Sequence, residues 1–266
     1  MNLQYYKKRI KIIFKNEGLL VLLESIILKL LIILTSERTV FKIQTAKNDF
    51  INKIKYDAPA DPYKKLKIHP NDIEGLIKKG RWNGEMRISP TKWGLGQIKG
   101  GDWDKGETRK SAELTNIEYF KQRFKQGKER TETKKYRKFR EKNQELTEKE
   151  AKDKFAEQVQ PYEELYRDIE QNGYKEGHSG ERLKPNSQES SVRLELEVEV
   201  TIDRNGKINL KEGLHRYAIV SALGIEIPVH VVRRHKKWQQ YRDKIYRGEI
   251  ENIPEHPDLE DIRETN

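Results

Sequence analysis

Three groups of residues in this 266-residue chain have the types and spacing that chemistry requires. The first is Glu212-Gly213-Leu214-His215-Arg216, where a glycine turn is followed at once by an imidazole and a guanidinium. A glycine permits the sharp turn that a Cβ resists. If a helix begins there, its first amides are unpaired and its dipole favours an anion. Arg216 adds a planar, permanently charged fork for phosphate, and His215 can donate a hydrogen bond or carry a proton. The bland alternative is that His215 and Arg216 cap the turn and pair with an acidic strand face. The second group is Gly101-Asp102-Trp103-Asp104, with two carboxylates two residues apart. Asp102 and Asp104 are candidate Mg²⁺ ligands, or a candidate general base. The alternative is an Asx-type turn with a packed tryptophan. The third is Arg233, Arg234, Lys236 and Lys237, a cationic run suited to a polyanion such as a nucleic acid backbone. Such runs are more often solvated faces.

The elements around the first group predict how it is held. From Val192 to Asp203 every even position is apolar and every odd one polar, the pattern of a strand with one buried face. Asn205-Gly206 suits a tight hairpin turn with both residues at its centre, and Ile208 and Leu210 resume the alternation. Tyr217, Ala218, Ile219, Val220, Ala222 and Leu223 then suit a helix packed on a sheet, with Gly224 as its C-terminal cap. Ile227 to Val232 reads as a further strand, whose Pro228 belongs at its first position or on an edge. Trp238, Tyr241 and Ile245 mark a second amphipathic helix. The order is hairpin, turn, helix, strand, helix.

Elsewhere the pattern is coarser. Gly80 to Gly96 is rich in turns and aromatics, like a loop wrapping a site. Residues 107 to 172 are highly charged and helical in character, with a capping box at Thr147-x-x-Glu150. Pro161 is expected to start a new helix, which Asn172-Gly173 ends. Near the N-terminus, Leu19 to Leu34 holds thirteen apolar residues among sixteen, after Lys7, Lys8, Arg9, Lys11 and Lys15. A span needs about twenty residues. At about −0.5 kcal/mol per apolar residue and about +3 for each of Glu24 and Lys29, insertion is near break-even. No small-residue cleavage site follows the run. It reads as a helix docked on a partner protein or on an anionic membrane face, or equally as one buried against the domain.

Composition narrows the classes. The chain has no cysteine, which excludes thiol redox chemistry, and no zinc-type ligand cluster, Walker loop or serine–histidine triad signature. The net charge of +11 is uneven: residues 1–59 carry eleven Lys/Arg against five acids, 204–248 eleven against three, and 249–266 one against seven. The absence of cysteine fits a cytoplasmic protein, peripheral to the membrane if the N-terminal helix docks there.

The box at 212–216, with Ala218, Leu223-Gly224 and Ile227-Pro228-Val229 after it, resembles the ParB/sulfiredoxin superfamily. In that family a glycine–arginine box opens a helix and binds nucleotide phosphates. Lys65 to Ile73 resembles the opening strand and Pro-x-x-Ile turn of such domains. Gly101-Asp102-Trp103-Asp104, Gly173-Tyr174, Arg234-His235-Lys236-Lys237-Trp238-Gln239 and His256-Pro257-Asp258-Leu259 are similar to elements of archaeal ParB-like proteins. The resemblance covers roughly 60 to 260 and is densest over 205 to 240. It implies an α+β fold: a small mixed sheet with helices, a large helical insertion at about 107–175, and an N-terminal hydrophobic helix. The corresponding division is an N-terminal basic and hydrophobic segment at 1–59, a ParB/sulfiredoxin-like domain at 60–248 and an acidic tail at 249–266. Leu214 stands where sulfiredoxin needs its cysteine, so that branch is excluded. The short C-terminal remainder leaves no room for the helix-turn-helix of partition proteins.

Two functional classes follow. One is a nucleotide-binding protein, kinase- or NTPase-like if catalytic. In it Glu212, Gly213, Leu214, His215 and Arg216 hold the phosphates of ATP or CTP with Mg²⁺, and Asp102, Asp104 and His215 are the candidate catalytic groups. The other is a DNA-binding or ParB-like nuclease protein using Arg233, Arg234, Lys236 and Lys237. A weaker third is a membrane-surface scaffold with a degenerate nucleotide site.

Overall fold

The computed structural model describes Ile27, Leu30, Leu31 and residues 34–77, 94–105, 108–110, 113–175 and 198–263. The turn-rich stretch before Gly94, most of the run Leu19–Leu34 and the first half of the alternating strand pattern, 192–197, lie outside them. Among the described residues, no helix is long and apolar enough to cross a membrane.

The chain is mixed α/β, built on a seven-stranded mixed sheet. After helix α1 (Glu37–Lys55) come strands β1 (Lys65–Ile68), β2 (Ile73–Ile77), β3 (Gln97–Lys99) and β4 (Thr108–Lys110). Helices α2 (Thr115–Phe120), α3 (Lys134–Lys142) and α4 (Glu148–Asn172) follow. The motif-bearing half is β5 (Glu199–Ile202), β6 (Ile208–Glu212), α5 (Leu214–Leu223), β7 (Ile227–His235), α6 (Lys236–Tyr246) and a short α7 (Glu260–Arg263). Strand order is β1-β7-β5-β6-β2-β4, with β3 also paired to β7. The β7–β5, β7–β3 and β6–β2 pairs are parallel, and the β1–β7, β5–β6 and β2–β4 pairs antiparallel.

Strand β7 is the axis of the sheet. Its residues 227–230 pair with β1, its residues 233–235 with β3 on the same edge, and 230–234 with β5 on the other. Pro228 therefore sits in an interior strand. It is tolerated because β5 joins only from His230 onward, so the missing N–H faces no β5 partner. Val231 packs in the main core with Val200, Leu210, Tyr217, Val220 and Phe120. Its neighbour Val232 packs with Phe41 and Leu95 in a second cluster. Successive strand residues face opposite sides, so α1 covers the face of the sheet opposite the main core. Thr45 accepts the Leu95 N–H at 3.0 Å, and Asn52 donates to the Gly96 carbonyl at 2.7 Å.

Two expectations change here. The polar side of β5 was expected to face solvent, but Glu199 and Thr201 are buried like Val200 and Ile202, so both faces of this strand are covered. Glu199 is paired with Lys211 at 2.6 Å. The hairpin turn is also centred one residue earlier than expected. Gly206 N–H closes on the Asp203 carbonyl at 3.1 Å, so Arg204 and Asn205 are the central pair. Gly206 has φ +86°, and a Cβ there would lie 2.4 Å from the Trp238 ring.

The helical segment between β4 and β5 also departs from the sequence in one respect. Its Thr147–Glu150 capping box forms, and Gly173 ends α4 at φ 72°. Pro161, however, starts no helix: α4 runs unbroken from Glu148 to Asn172 through it. Contacts along the helix outweigh the lost N–H, since Phe155, Val159, Leu165, Tyr166 and Ile169 are all buried on the core side.

Candidate functional site

Strand β6 ends at Glu212, and Gly213, at φ 88° and ψ 25°, turns the chain into α5. The left-handed conformation is what a side chain would resist. Among the described residues no side chain caps this helix start. The amides of Leu214 to Arg216 head the helix, the first intrahelical bond being Tyr217 N–H to the Gly213 carbonyl at 3.0 Å. Gly224, also left-handed, closes the other end, with its N–H on the Val220 carbonyl at 2.8 Å. The predicted hairpin, turn, helix, strand, helix order is present throughout 199–246.

The helices between β4 and β5 build the opposing wall. Helices α2 and α4 both lie against α5. Tyr162 of α4 stacks on His215, with ring centroids 3.8 Å apart and planes inclined by 11°. Burial pushes the His215 imidazole down to about 4, helped by the nearby charges of Lys135 and Arg216, so it is neutral at physiological pH. Burial also pushes the Lys135 ammonium down to about 8, against the pull of Glu163. Lys135 Nζ lies 5.0 Å above the Tyr119 ring. Neither Lys135 nor Arg216 has a carboxylate within ion-pair distance among the described residues.

Next to Lys135, across the Tyr119 ring, sits Glu163, whose side chain has no solvent exposure. It accepts from Arg130 at 2.7 Å, the Tyr119 hydroxyl at 2.6 Å and Arg123 at 3.3 Å, with Arg167 at 3.9 Å. Burial alone would raise its carboxyl, but the bonds from Arg130 and Tyr119 outweigh that and hold it below the usual range. Arg123 lies in a π-helical turn, Lys121–Lys125, that extends α2. No local pattern marks Tyr162, Lys135 or Glu163. They lie 53, 80 and 52 positions from His215, Arg216's neighbour in the box: their only signal was membership of a charged helical stretch.

On the acidic strand face, Glu199 of β5 pairs with Lys211, while Glu195 and Glu197 lie outside the described residues. Glu212 lies at the end of β6, with Lys211 Nζ 4.0 Å from its carboxylate.

Asp102 and Asp104 are not brought to this box. Arg204 at the hairpin turn grips both, reaching Asp102 at 2.8 Å and Asp104 at 2.7 Å. That turn lies before β6 and the box lies after it, five strand residues away, or roughly 17 Å. Burial would raise the Asp104 carboxyl, but the Arg204 bonds hold it down. Trp103 between them is buried, donates to the Lys99 carbonyl at 3.0 Å and carries the Arg233 guanidinium 5.3 Å above its ring. The pair is thus a salt-bridged turn with a packed tryptophan. Asp102 and Asp104 thus stand in ion pairs with Arg204, away from the glycine box. Among the described residues, no group of three or more acidic or histidine side chains is arranged to hold a metal ion.

The cationic run also divides. Arg233 and Arg234 are each 3% exposed. Arg233 bonds Gln97, and Arg234 meets Asp258 through Nε at 3.0 Å. Asp258 accepts as well from Trp238 at 2.8 Å and lies 3.5 Å from Arg242. The motifs at 234–239 and 256–259 therefore form one buried polar knot. His256 completes it by capping Asp258 and bonding the Gly206 carbonyl at 2.8 Å. Arg233 and Arg234 are unavailable to a polyanion; Lys236 and Lys237, at the start of α6, are exposed.

No family model, curated protein or solved structure matches the chain.

Proposed function

We propose that this chain is a ParB/sulfiredoxin-like nucleotide-binding protein that holds the phosphates of a nucleoside triphosphate, ATP or CTP, at Glu212–Arg216. The observation that carries the reading is the left-handed Gly213 opening a ten-residue helix with no side-chain cap, beside Arg216 and Lys135, which have no carboxylate partner among the described residues. The helix amides and dipole supply donors and partial positive charge. Arg216 supplies a bidentate fork and Lys135 a point charge. A neutral His215, fixed by its stack on Tyr162, supplies one N–H donor rather than a charge. Mg²⁺ in this reading arrives with the nucleotide, since Asp102 and Asp104 are held by Arg204. Any phosphoryl transfer would rest on positioning and charge stabilisation.

The test is calorimetric titration of the full chain with ATP and CTP, with and without Mg²⁺, beside the Arg216→Ala variant. A charged hydrogen bond contributes about 1.5–3 kcal/mol, so Arg216→Ala should weaken binding by roughly ten- to a hundredfold. Equal affinity of variant and parent, or no binding to the parent, overturns the reading. The DNA-binding alternative keeps only Lys236 and Lys237 of its four cations. It predicts DNA retention at low salt that Lys236→Gln/Lys237→Gln removes.

A further inference from the structure

Helix α1 has two apolar sides. One, bearing Val40 and Phe41 with Gln44, Thr45 and Asn52, is buried against the sheet and the 94–96 segment. The other bears Ile43, Phe50 and Ile54, which with Ile27, Leu30 and Leu34 ahead of the helix are 51–78% exposed. At 100° per residue Ile43, Phe50 and Ile54 fall within about 40° of one another, on the side away from the buried residues. Exposed lysines border them: Lys47 lies at the edge of the stripe, and Lys42 and Lys53 along one flank, where Lys53 is paired with Asp49 at 2.7 Å.

We propose that this outer face of α1 is a docking surface for an anionic lipid bilayer, on which the helix lies in the plane of the interface. Charge selects the occupant. The helix carries five basic residues against two acids. A second copy of the chain, meeting this face symmetrically, would bring the lysines of one copy beside those of the other across an apolar contact, where like charges cost affinity. The chain's own residues 1–26 are no better matched, with five basic residues against two acids. A surface of anionic headgroups over acyl chains satisfies both features: apolar side chains enter the boundary, and the lysine stems extend their ammonium groups to the phosphates. Spanning is excluded for α1, since each of its seven charges would cost about 3 kcal/mol at the bilayer centre. Leu34, just ahead of α1, is likewise apolar and exposed. This proposal is independent of the nucleotide site, which is built from α2–α5.

The test is co-sedimentation of the full-length protein with vesicles of phosphatidylcholine alone and of phosphatidylcholine mixed with phosphatidylserine. Binding is expected only to the mixed vesicles and should weaken as salt is raised. Phe50→Ser/Ile54→Ser should reduce it by at least tenfold. Lys42→Gln/Lys47→Gln should reduce it by roughly fivefold per lysine. All four positions are exposed, and unchanged thermal unfolding and nucleotide titration in the variants would show that the fold is intact. Three results would overturn the proposal: no sedimentation with mixed vesicles, equal binding by the Phe50→Ser/Ile54→Ser variant, or a lipid-free dimer that this variant dissociates. The second would leave docking to residues before α1, and the third would assign the face to a second copy.

Discussion

Tyr162 and His215 come from helices separated by two strands, yet their rings stack 3.8 Å apart with nearly parallel planes. The contact makes the helical segment between β4 and β5 one wall of the glycine box, and it keeps water from the imidazole. His215 should therefore titrate near 4 by NMR, and Tyr162→Ala should bring it back toward its ordinary 6.5. An unchanged value in the variant would mean that Lys135 and Arg216, not burial, set it.

The same shift has a consequence for stability. The folded value lies below the unfolded one, so the unfolded chain binds more protons between about 4 and 6.5. Stability should fall as pH falls through that window, by at most about 3 kcal/mol from this group. Carboxylates contribute over the same range, so the informative quantity is the difference between parent and His215→Gln in urea unfolding at pH 7 and pH 4. The variant should lose less.

Lys135 gives a pH dependence of the opposite kind for ligand binding. An anion at the box favours its protonated form, whose folded value is about 8. Affinity for a nucleoside triphosphate should decline as pH rises through 8, with proton uptake on binding near that pH. Lys135→Gln should bind more weakly and lose the dependence. Calorimetry in two buffers of different ionisation enthalpy reads both.

Asp258 is fully inside the protein, with Arg234, Arg242 and Trp238 around it. Asp258→Ala leaves two buried guanidinium groups without their shared carboxylate, although Arg242 retains Asp261 at 2.7 Å. A loss of about 3–5 kcal/mol is expected, read as a fall in the urea midpoint. A change below about 0.5 kcal/mol would show that the knot is not what holds the C-terminal segment.

Gly206→Ala tests the hairpin turn. The new methyl would meet the Trp238 ring at 2.4 Å and sit at φ +86°. A cost on the order of 1–3 kcal/mol is expected in thermal or chemical unfolding.

Much of the motif-bearing half was legible because its signals are local. Gly213, Gly224 and the apolar face of α5 announce a turn, a cap and a packed helix within fifteen residues of one another. What sequence missed depends on contacts between distant segments. Arg204 neutralises Asp102 and Asp104 from about a hundred positions away, so a carboxylate pair that looked free for a metal is a closed ion cluster. Arg233 and Arg234 look like surface cations until Gln97 and Asp258 are placed beside them. Pro161 misled for a related reason: its local penalty is real, but the buried residues on either side of it keep α4 continuous. The cluster of Tyr119, Arg123 and Arg130 on Glu163 had no local signature at all.

The position of Asp258 also sets an order of events in synthesis. Strand β7 and helix α6 place Arg234 and Arg242 in the interior, but the carboxylate that answers both comes 24 residues after Arg234. Until that residue has left the ribosome, β7 and α6 would bury two guanidinium groups without their shared carboxylate. The sheet therefore cannot reach its final packing until residue 258 has emerged to answer both guanidinium groups.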